Sequence, residues 1–178
     1  PLADDPSRRA FAHAFGEVLL ELRDMDGVGT PGGYQPFLAY FRGPVADQVL
    51  AQDPGIGSDA IQWLFSDHLL TVKDVVSSAG GTLDRLTVDS FGNVIARQDD
   101  SLYLRPIFAG QDYTEELGLY LMGARYFSPD LGRFISEDPI AFGGGDFNLY
   151  RYVSNNPMGM VDRTGTTGQP ANTGSSGM

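Results

Sequence analysis

The sequence predicts a mostly β protein, built as an antiparallel ribbon with many tight turns. Three observations carry this. The 178 residues include 23 Gly and 11 Pro, more than the ordinary share, which favours turns. From Trp63 to Phe108, short β-type runs are separated by "SSAGGT" and "DSFGN", turn signals about a dozen residues apart, as in an antiparallel meander. No stretch between residues 1 and 160 keeps a long 3.6-residue period. One domain is the expectation at this length, and the chain is long enough for a real core.

Residues 1–10 are polar and Pro-bounded and are expected to form a flexible arm. Ala10, Ala12 and Ala14 with Phe11 and Phe15 suggest a short helix. "EVLLEL" alternates, with Val18, Leu20 and Leu22 on one face and Glu17, Leu19 and Glu21 on the other, which predicts a strand. "DGVGTPGGYQP" is a loop by composition, and "PFLAYFRG" and "DQVLAQD" are further strands split by Gly43-Pro44. Hairpins are expected near Gly80-Gly81 and Gly92-Asn93. Leu83, Leu86 and Val88 suggest one buried face. Residues 166–178, rich in Gly, Ser and Thr, are expected to be a flexible tail.

Composition excludes several function classes. A net charge of −11 argues against sequence-independent nucleic-acid binding, which needs Lys and Arg against phosphates, and against docking on an anionic membrane. The absence of Cys excludes disulfides and thiolate metal sites. No apolar run reaches the length of a membrane span. The chain starts without Met and shows no signal pattern, so a fragment or a processed product is expected.

The stretch "GLYLMGARYFSPDLGRFISEDPI" packs aromatic residues and two Arg around the turn signals Ser128-Pro129-Asp130 and Gly132, then fixes Glu137-Asp138 with Pro139. Together with "DHLLTVKDVV", "GGTLDRLTVDSFGNV", "FNLYRYVSNNP" and "MVDRTG", it resembles the RHS repeat-associated core segment of RHS/YD-repeat proteins. The resemblance runs from near Phe15 to Gly165 and is strong from Trp63 onward. It implies residues 11–165 as the RHS core, an antiparallel β-ribbon or spiral of RHS type ending in an irregular plug with short helical turns. It also implies a polymorphic-toxin setting, secreted or at the cell surface, in which this segment ends a β-cocoon that encapsulates or displays an effector. The implied partner is an upstream RHS β-shell of the same or another chain. The residues agree: Gly and Asn suit tight turns, and Gly-Arg-Phe and Ala-Arg-Tyr set a guanidinium beside an aromatic, where it can stack or satisfy carbonyls. An unclosed ribbon also predicts self-association through open β edges.

In self-cleaving members of that family an Arg and two Asp cut the chain just past a terminal "DPxG". The matching positions are Arg125, Asp138 and Asp162, with cleavage at Thr166. Two neighbouring carboxylates can share a proton, one serving as base toward water and the other as acid toward the amide. Arg163 replaces the Pro of that motif, Thr166 replaces its apolar residue, and the stretch 167–178 is too short for a folded effector. The expectation is that Asp138 and Asp162 are turn and cap residues with Arg125 as structural partner, and that an aspartyl-type autoprotease is the alternative.

Other candidates carry less. His13 and His68, the only histidines, are expected to be hydrogen-bonded structural residues rather than a metal or catalytic pair. "FGGGDFN" lacks the Lys and the strand–loop–helix context of a phosphate loop. "SPDLG" and "DSFGN" fit turn chemistry rather than calcium loops. Arg151 with Tyr150 and Tyr152 suits a plug cluster better than a base-stacking platform. No cofactor and no metal are expected.

Overall fold

The computed structural model describes residues 9–14, 17–24, 34–55 and 60–171. The chain forms two compact units, Pro1–Leu64 with Val76–Thr82 and Phe65–Val75 with Leu83–Met178. Strands dominate both, and the described helical pieces are two 3-10 turns, Ala141–Gly144 and Val153–Asn155.

The first unit is a meander of β1 (Arg9–Ala14), β2 (Glu17–Asp24), β3 (Tyr34–Arg42) and β4 (Val49–Asp53), followed by the start of β5 (Gln62–Ser66). Each pairs antiparallel with its sequence neighbour. The helix expected over Ala10–Ala14 is a strand. "RAFAHA" has a period of two as well as a helical reading, and six residues are too few for a stable isolated helix. The strand expected at "EVLLEL" is present, but its faces differ from simple alternation. Glu21 is fully buried and Leu19 is exposed. The pairing register shifts between Glu21 and Leu22, opposite Leu38 and Pro36, as happens where Pro removes a ladder donor. The buried Glu21 carboxylate has Arg9 at 3.5 Å.

The ribbon's hairpins share one turn. At Asp67–Thr71, Ser77–Gly81 and Asp89–Asn93, the first residue's N–H donates to the fifth residue's carbonyl, and the fourth residue's N–H donates back to the first carbonyl. The fourth residue has positive φ: Leu70 at 65°, Gly80 at 85° and Gly92 at 92°. A polar side chain at the first position caps the loop. Asp89 Oδ1 accepts from the amides of Phe91 and Asn93 at 2.8 and 2.9 Å, as Asp67 Oδ1 does from those of Leu69 and Thr71. Thus both expected hairpins form, and a third, at "DHLLT", has the same design with Leu at the left-handed position.

β6 (Val72–Ser77) precedes β7 (Thr82–Val88), and in the second unit β7 pairs with β8 (Val94–Arg97). The expected buried face of Leu83, Leu86 and Val88 is corrected: Asp84 and Leu86 are buried, and Leu83 alternates to the other side. The Asp84 carboxylate is satisfied by Arg97 at 2.6 Å and by the amides of Gln98 and Asp99. A five-stranded sheet follows, made of β9 (Pro106–Phe108), β10 (Gln111–Thr114), β11 (Leu119–Met122), β12 (Arg125–Ser128) and β13 (Arg133–Phe134), in the order β13-β12-β11-β10-β9. Its buried face carries the rings of Phe108, Tyr120, Phe127 and Phe134, against which Tyr152 packs from the later 3-10 turn, with centroids 4.5 to 6.5 Å apart. These are favourable tilted, stacked and edge contacts. The Tyr120 hydroxyl donates to the Gly92 carbonyl at 2.8 Å, tying the ladder to the Asp89 turn.

Residues 166–171 of the expected tail are held. In β14 (Met160–Val161) and β15 (Gln169–Pro170), Val161 pairs with Gln169, and the Ala171 amide donates to the Gly159 carbonyl. Residues 172–178, like residues 1–8 of the expected arm and most of the loop expected after β2, lie outside the described residues.

Two expected outcomes follow from the shared turn. A Cβ on Gly92 would lie 2.8 Å from Phe108, whereas one on Gly80 meets nothing within 4 Å. Gly92→Ala should therefore cost about 3 kcal/mol, a left-handed penalty plus overpacking, and Gly80→Ala about 1 kcal/mol, measured by urea unfolding. The second concerns Asp89. Burial raises its carboxyl pKa, but hydrogen bonds from the Asn93 side chain and from the amides of Asn93, Phe91 and Gly92 outweigh that and leave it below its ordinary value. A depressed carboxyl contributes stability that is present above its unfolded value and lost as pH falls through the folded one. Unfolding free energies between pH 6 and 2 (a range chosen roughly to span that loss) should fall less steeply in Asp89→Asn than in the parent.

Candidate functional site

Alternation along β12 sends Arg125 and Phe127 inward and leaves Tyr126 exposed. Tyr126 therefore faces away from the buried Phe127 and Phe134. The Arg125 guanidinium carbon lies 3.5 Å from the centroid of Phe134. That ring is supplied by β13, not by the sequence neighbour Tyr126. The Ser128–Arg133 hairpin, turning at Pro129–Gly132, makes this possible by pairing Phe134 with Phe127.

Three later chain segments meet on this guanidinium. Nη1 donates to the Leu149 carbonyl at 2.9 Å, and Nε donates to the Gly165 carbonyl. Nη2 lies 2.9 Å from Asp138 Oδ2 and 3.3 Å from Asp162 Oδ2. The structure therefore brings together all three residues singled out by the motif, with both carboxylates on one nitrogen. The side chains of Arg125 and Asp162 are each 3% exposed. Burial disfavours the charged guanidinium and lowers its pKa, while Asp138 and Asp162 oppose that shift. Arginine remains charged, so two carboxylates face one buried cation.

The Asp138 amide donates to the Leu149 carbonyl, and its Oδ1 accepts from the Ile140 amide at 3.0 Å. Asp162 Oδ1 accepts from the Thr164 hydroxyl at 3.2 Å and from the amides of Thr166 and Thr167, both at 3.1 Å. The segment after Asp162 is thus bound by backbone and side chain together. Gly165 is essential to the fit: its φ is +65°, and a Cβ there would lie 2.1 Å from the Met122 carbonyl oxygen. The Ala124 amide donates to the Thr164 carbonyl across the same junction. A cavity of about 50 Å³ opens beside these groups, bordered by Arg125, Asp138, Asp162, Thr166 and Thr167. That is room for a water molecule or two.

The remaining candidates are placed elsewhere or in structural roles. His68 Nε2 contacts the Met158 carbonyl at 3.3 Å, and the His13 side chain lies outside the described residues. Tyr152 is fully buried in the ring ladder, Arg151 pairs with Asp146 at 3.3 Å, and the Tyr150 hydroxyl donates to Glu137 at 3.2 Å, so the three form no stacking platform. "FGGGDFN" forms a 3-10 turn at the cavity rim. Among the described residues, no group of three or more His, Asp or Glu is placed to hold a metal. Sequence reading missed the Phe134 stack, the Leu149 and Gly165 carbonyls and the Gly165 junction. Only the Gly after Asp-Arg-Thr hinted at the last.

Arg125→Met would leave the buried Asp162 carboxylate and the partly buried Asp138 carboxylate without their cation. It should cost about 3–5 kcal/mol in urea unfolding. Arg125→Lys should recover only part of this, because one ammonium cannot reproduce a fork that serves two carbonyls, two carboxylates and a ring face.

No family model matches the sequence. Among curated proteins, the chain is 35% identical over 175 residues to the toxin protein Tse5 of Pseudomonas aeruginosa, covering 88% of this chain and 13% of Tse5. It is 38% identical over 106 residues to the tRNA3(Ser)-specific nuclease WapA of Bacillus spizizenii, covering 55% and 4%. It is 42% identical over 80 residues to the double-stranded DNA deaminase toxin A of Burkholderia cenocepacia, covering 45% and 5%. The chain therefore spans only a small part of each of these relatives. Among solved structures, it superposes on TcdB2-TccC3-TEV with a TM-score of 0.64 at 21% identity, covering 82% of this chain and 7% of that one. For a Photorhabdus luminescens Tc holotoxin pore the values are 0.60 and 17%, with 92% and 9% covered. At such identities the likeness is one of fold. The antiparallel β architecture, the "ARYFSPDLGRFISEDP" segment and these relatives agree: the chain belongs to the RHS-type proteins, as an RHS repeat-associated core region.

Proposed function

We propose that this region forms the end of an RHS-type β-shell and fixes the chain that leaves it, so that a following segment is shielded or displayed. The observation that supports this best is the clasp. Arg125 and Asp162 between them bind the backbone of Gly165, Thr166 and Thr167, and Asp138 balances the same guanidinium. Apart from the Thr164 hydroxyl and the Gly165 fit, the cluster grips main-chain groups, which suits a shell that presents different followers. The toxin relatives support a delivery setting, secreted or at the cell surface, with an upstream RHS shell as the natural partner.

A second reading is self-cleavage of the Thr166–Thr167 bond by water. Asp162 Oδ1 lies 3.1 Å from the Thr167 nitrogen, the leaving group of that bond, and the adjoining cavity has room for the nucleophile. Asp138 would be the base, Asp162 the acid and Arg125 the stabiliser of developing charge. Arg163 and Thr166 in place of Pro and an apolar residue favour the anchoring role.

Hydrogen exchange tests the clasp. Asp162→Asn should cut protection of the Thr166 and Thr167 amides about 10- to 100-fold, the value of a hydrogen bond to a charged group. Protection unchanged in that variant would refute the anchor. Intact mass tests the second reading: a product ending at Thr166, lost in both Asp138→Asn and Asp162→Asn, would establish it.

A further inference from the structure

We infer that the bond this site is best equipped to break is Gly165–Thr166, with the Thr166 hydroxyl as nucleophile. The inference rests on the clasp, because it needs Arg125 and Asp162 where the clasp puts them. It differs from hydrolysis of Thr166–Thr167 in both the bond and the attacking atom.

Three contacts converge on this one peptide bond. Its carbonyl oxygen, on Gly165, accepts from Arg125 Nε. A charged donor there polarises the carbonyl and stabilises an oxyanion. Its nitrogen, on Thr166, lies 3.1 Å from Asp162 Oδ1. The hydroxyl next to it, Thr166 Oγ1, is 2.9 Å from Thr164 Oγ1, which is 3.2 Å from that same Asp162 Oδ1. The direction of this relay is fixed. Thr164 has one hydroxyl proton and gives it to the carboxylate, so Thr166 donates to Thr164. A single carboxylate oxygen thus connects to both the nucleophile's proton and the leaving nitrogen, as activation of a hydroxyl requires. The Thr164–Gly165 segment is docked on the Met122–Arg125 turn with no space for a Cβ at Gly165, so the carbonyl is held in place. The rim beside it contributes little bulk, because Gly144 leaves its backbone against the Thr166 carbonyl.

The step is an N-to-O acyl shift. Thr166 Oγ1 bonds to the Gly165 carbonyl carbon as its proton passes through Thr164 Oγ1 to Asp162 Oδ1. The oxyanion rests on Arg125 Nε. The C–N bond then breaks, and Asp162 returns the proton to the departing Thr166 nitrogen. The product is an ester between the Gly165 acyl group and Thr166 Oγ1, with a free Thr166 amine. Water then hydrolyses the ester, leaving a carboxylate on Gly165 and restoring the Thr166 hydroxyl. Water is the only co-reactant, and the fragments end at Gly165 and begin at Thr166.

The experiment is intact-mass measurement of the whole chain, freshly made and incubated at neutral pH with and without hydroxylamine. Hydroxylamine captures the ester as a Gly165 hydroxamate, and the sequence has no Asn-Gly bond for it to cut instead. Expected are a fragment ending at Gly165 without the reagent and faster loss of intact chain to the hydroxamate with it. Thr166→Ser should retain the reaction, Thr166→Ala should abolish it, and Thr164→Ala should slow it. A fragment ending at Thr166, cleavage that survives in Thr166→Ala, or a chain that stays whole in hydroxylamine would each overturn the inference. The exchange measurement on Thr166 and Thr167 reports separately whether the clasp exists, so the acyl shift can fail while the clasp stands.

Discussion

The second unit depends on how one buried guanidinium is satisfied. Arg125 brings a charge into a place where an unpaired ion would be costly, and the fold answers with groups from three later segments of the chain. Leu149, Asp138, Asp162 and Gly165 are each held in position by main-chain contacts of their own. The flat cation also needs an apolar floor, which Phe134 supplies. Phe134 is held edge-on by Phe127 and Tyr152. The ring ladder and the ion cluster are therefore one construction, with the arginine as the joint between an apolar layer and a polar one.

Much of the ribbon was legible because hairpins of this kind are written locally. The Asp89 turn needs an acceptor at its first position and a left-handed residue at its fourth, and "DSFGN" states both. "DHLLT" hides the same turn because Leu70 takes the left-handed position that Gly holds elsewhere. "AFAHAF" misled because a six-residue strand and a short helix can share a spacing, and only pairing with Glu17–Asp24 decides between them. Buried carboxylates were the least legible. Glu21 and Asp84 occupy positions where alternation predicts a polar face toward water. Their compensation comes from Arg9 and Arg97, which adjacent strands bring across by register.

The site was legible in its members but not in its arrangement. The RHS-like motif named Arg125, Asp138 and Asp162, yet nothing in one sequence states that two carboxylates share a nitrogen. That fact belongs to the Ser128–Arg133 hairpin and to the return of the chain at Asp162. The departures from the motif are informative in the fold. Arg163 removes a rigid Pro, and Thr166 adds a hydroxyl where an apolar side chain would otherwise sit. That hydroxyl joins a network running back to Asp162.

The Gly165 junction also sets an order of events. Its contacts join residues 40 apart in the chain, Arg125 and Gly165, while the hairpins of β10 to β13 close over short loops that form early. During synthesis the turn at Gly123-Ala124 is complete well before Gly165 exists. Until then the guanidinium lacks both the Gly165 carbonyl and the Asp162 carboxylate. The cluster is therefore completed only when the chain has been made as far as Gly165, so the clasp is the last part of this site to form.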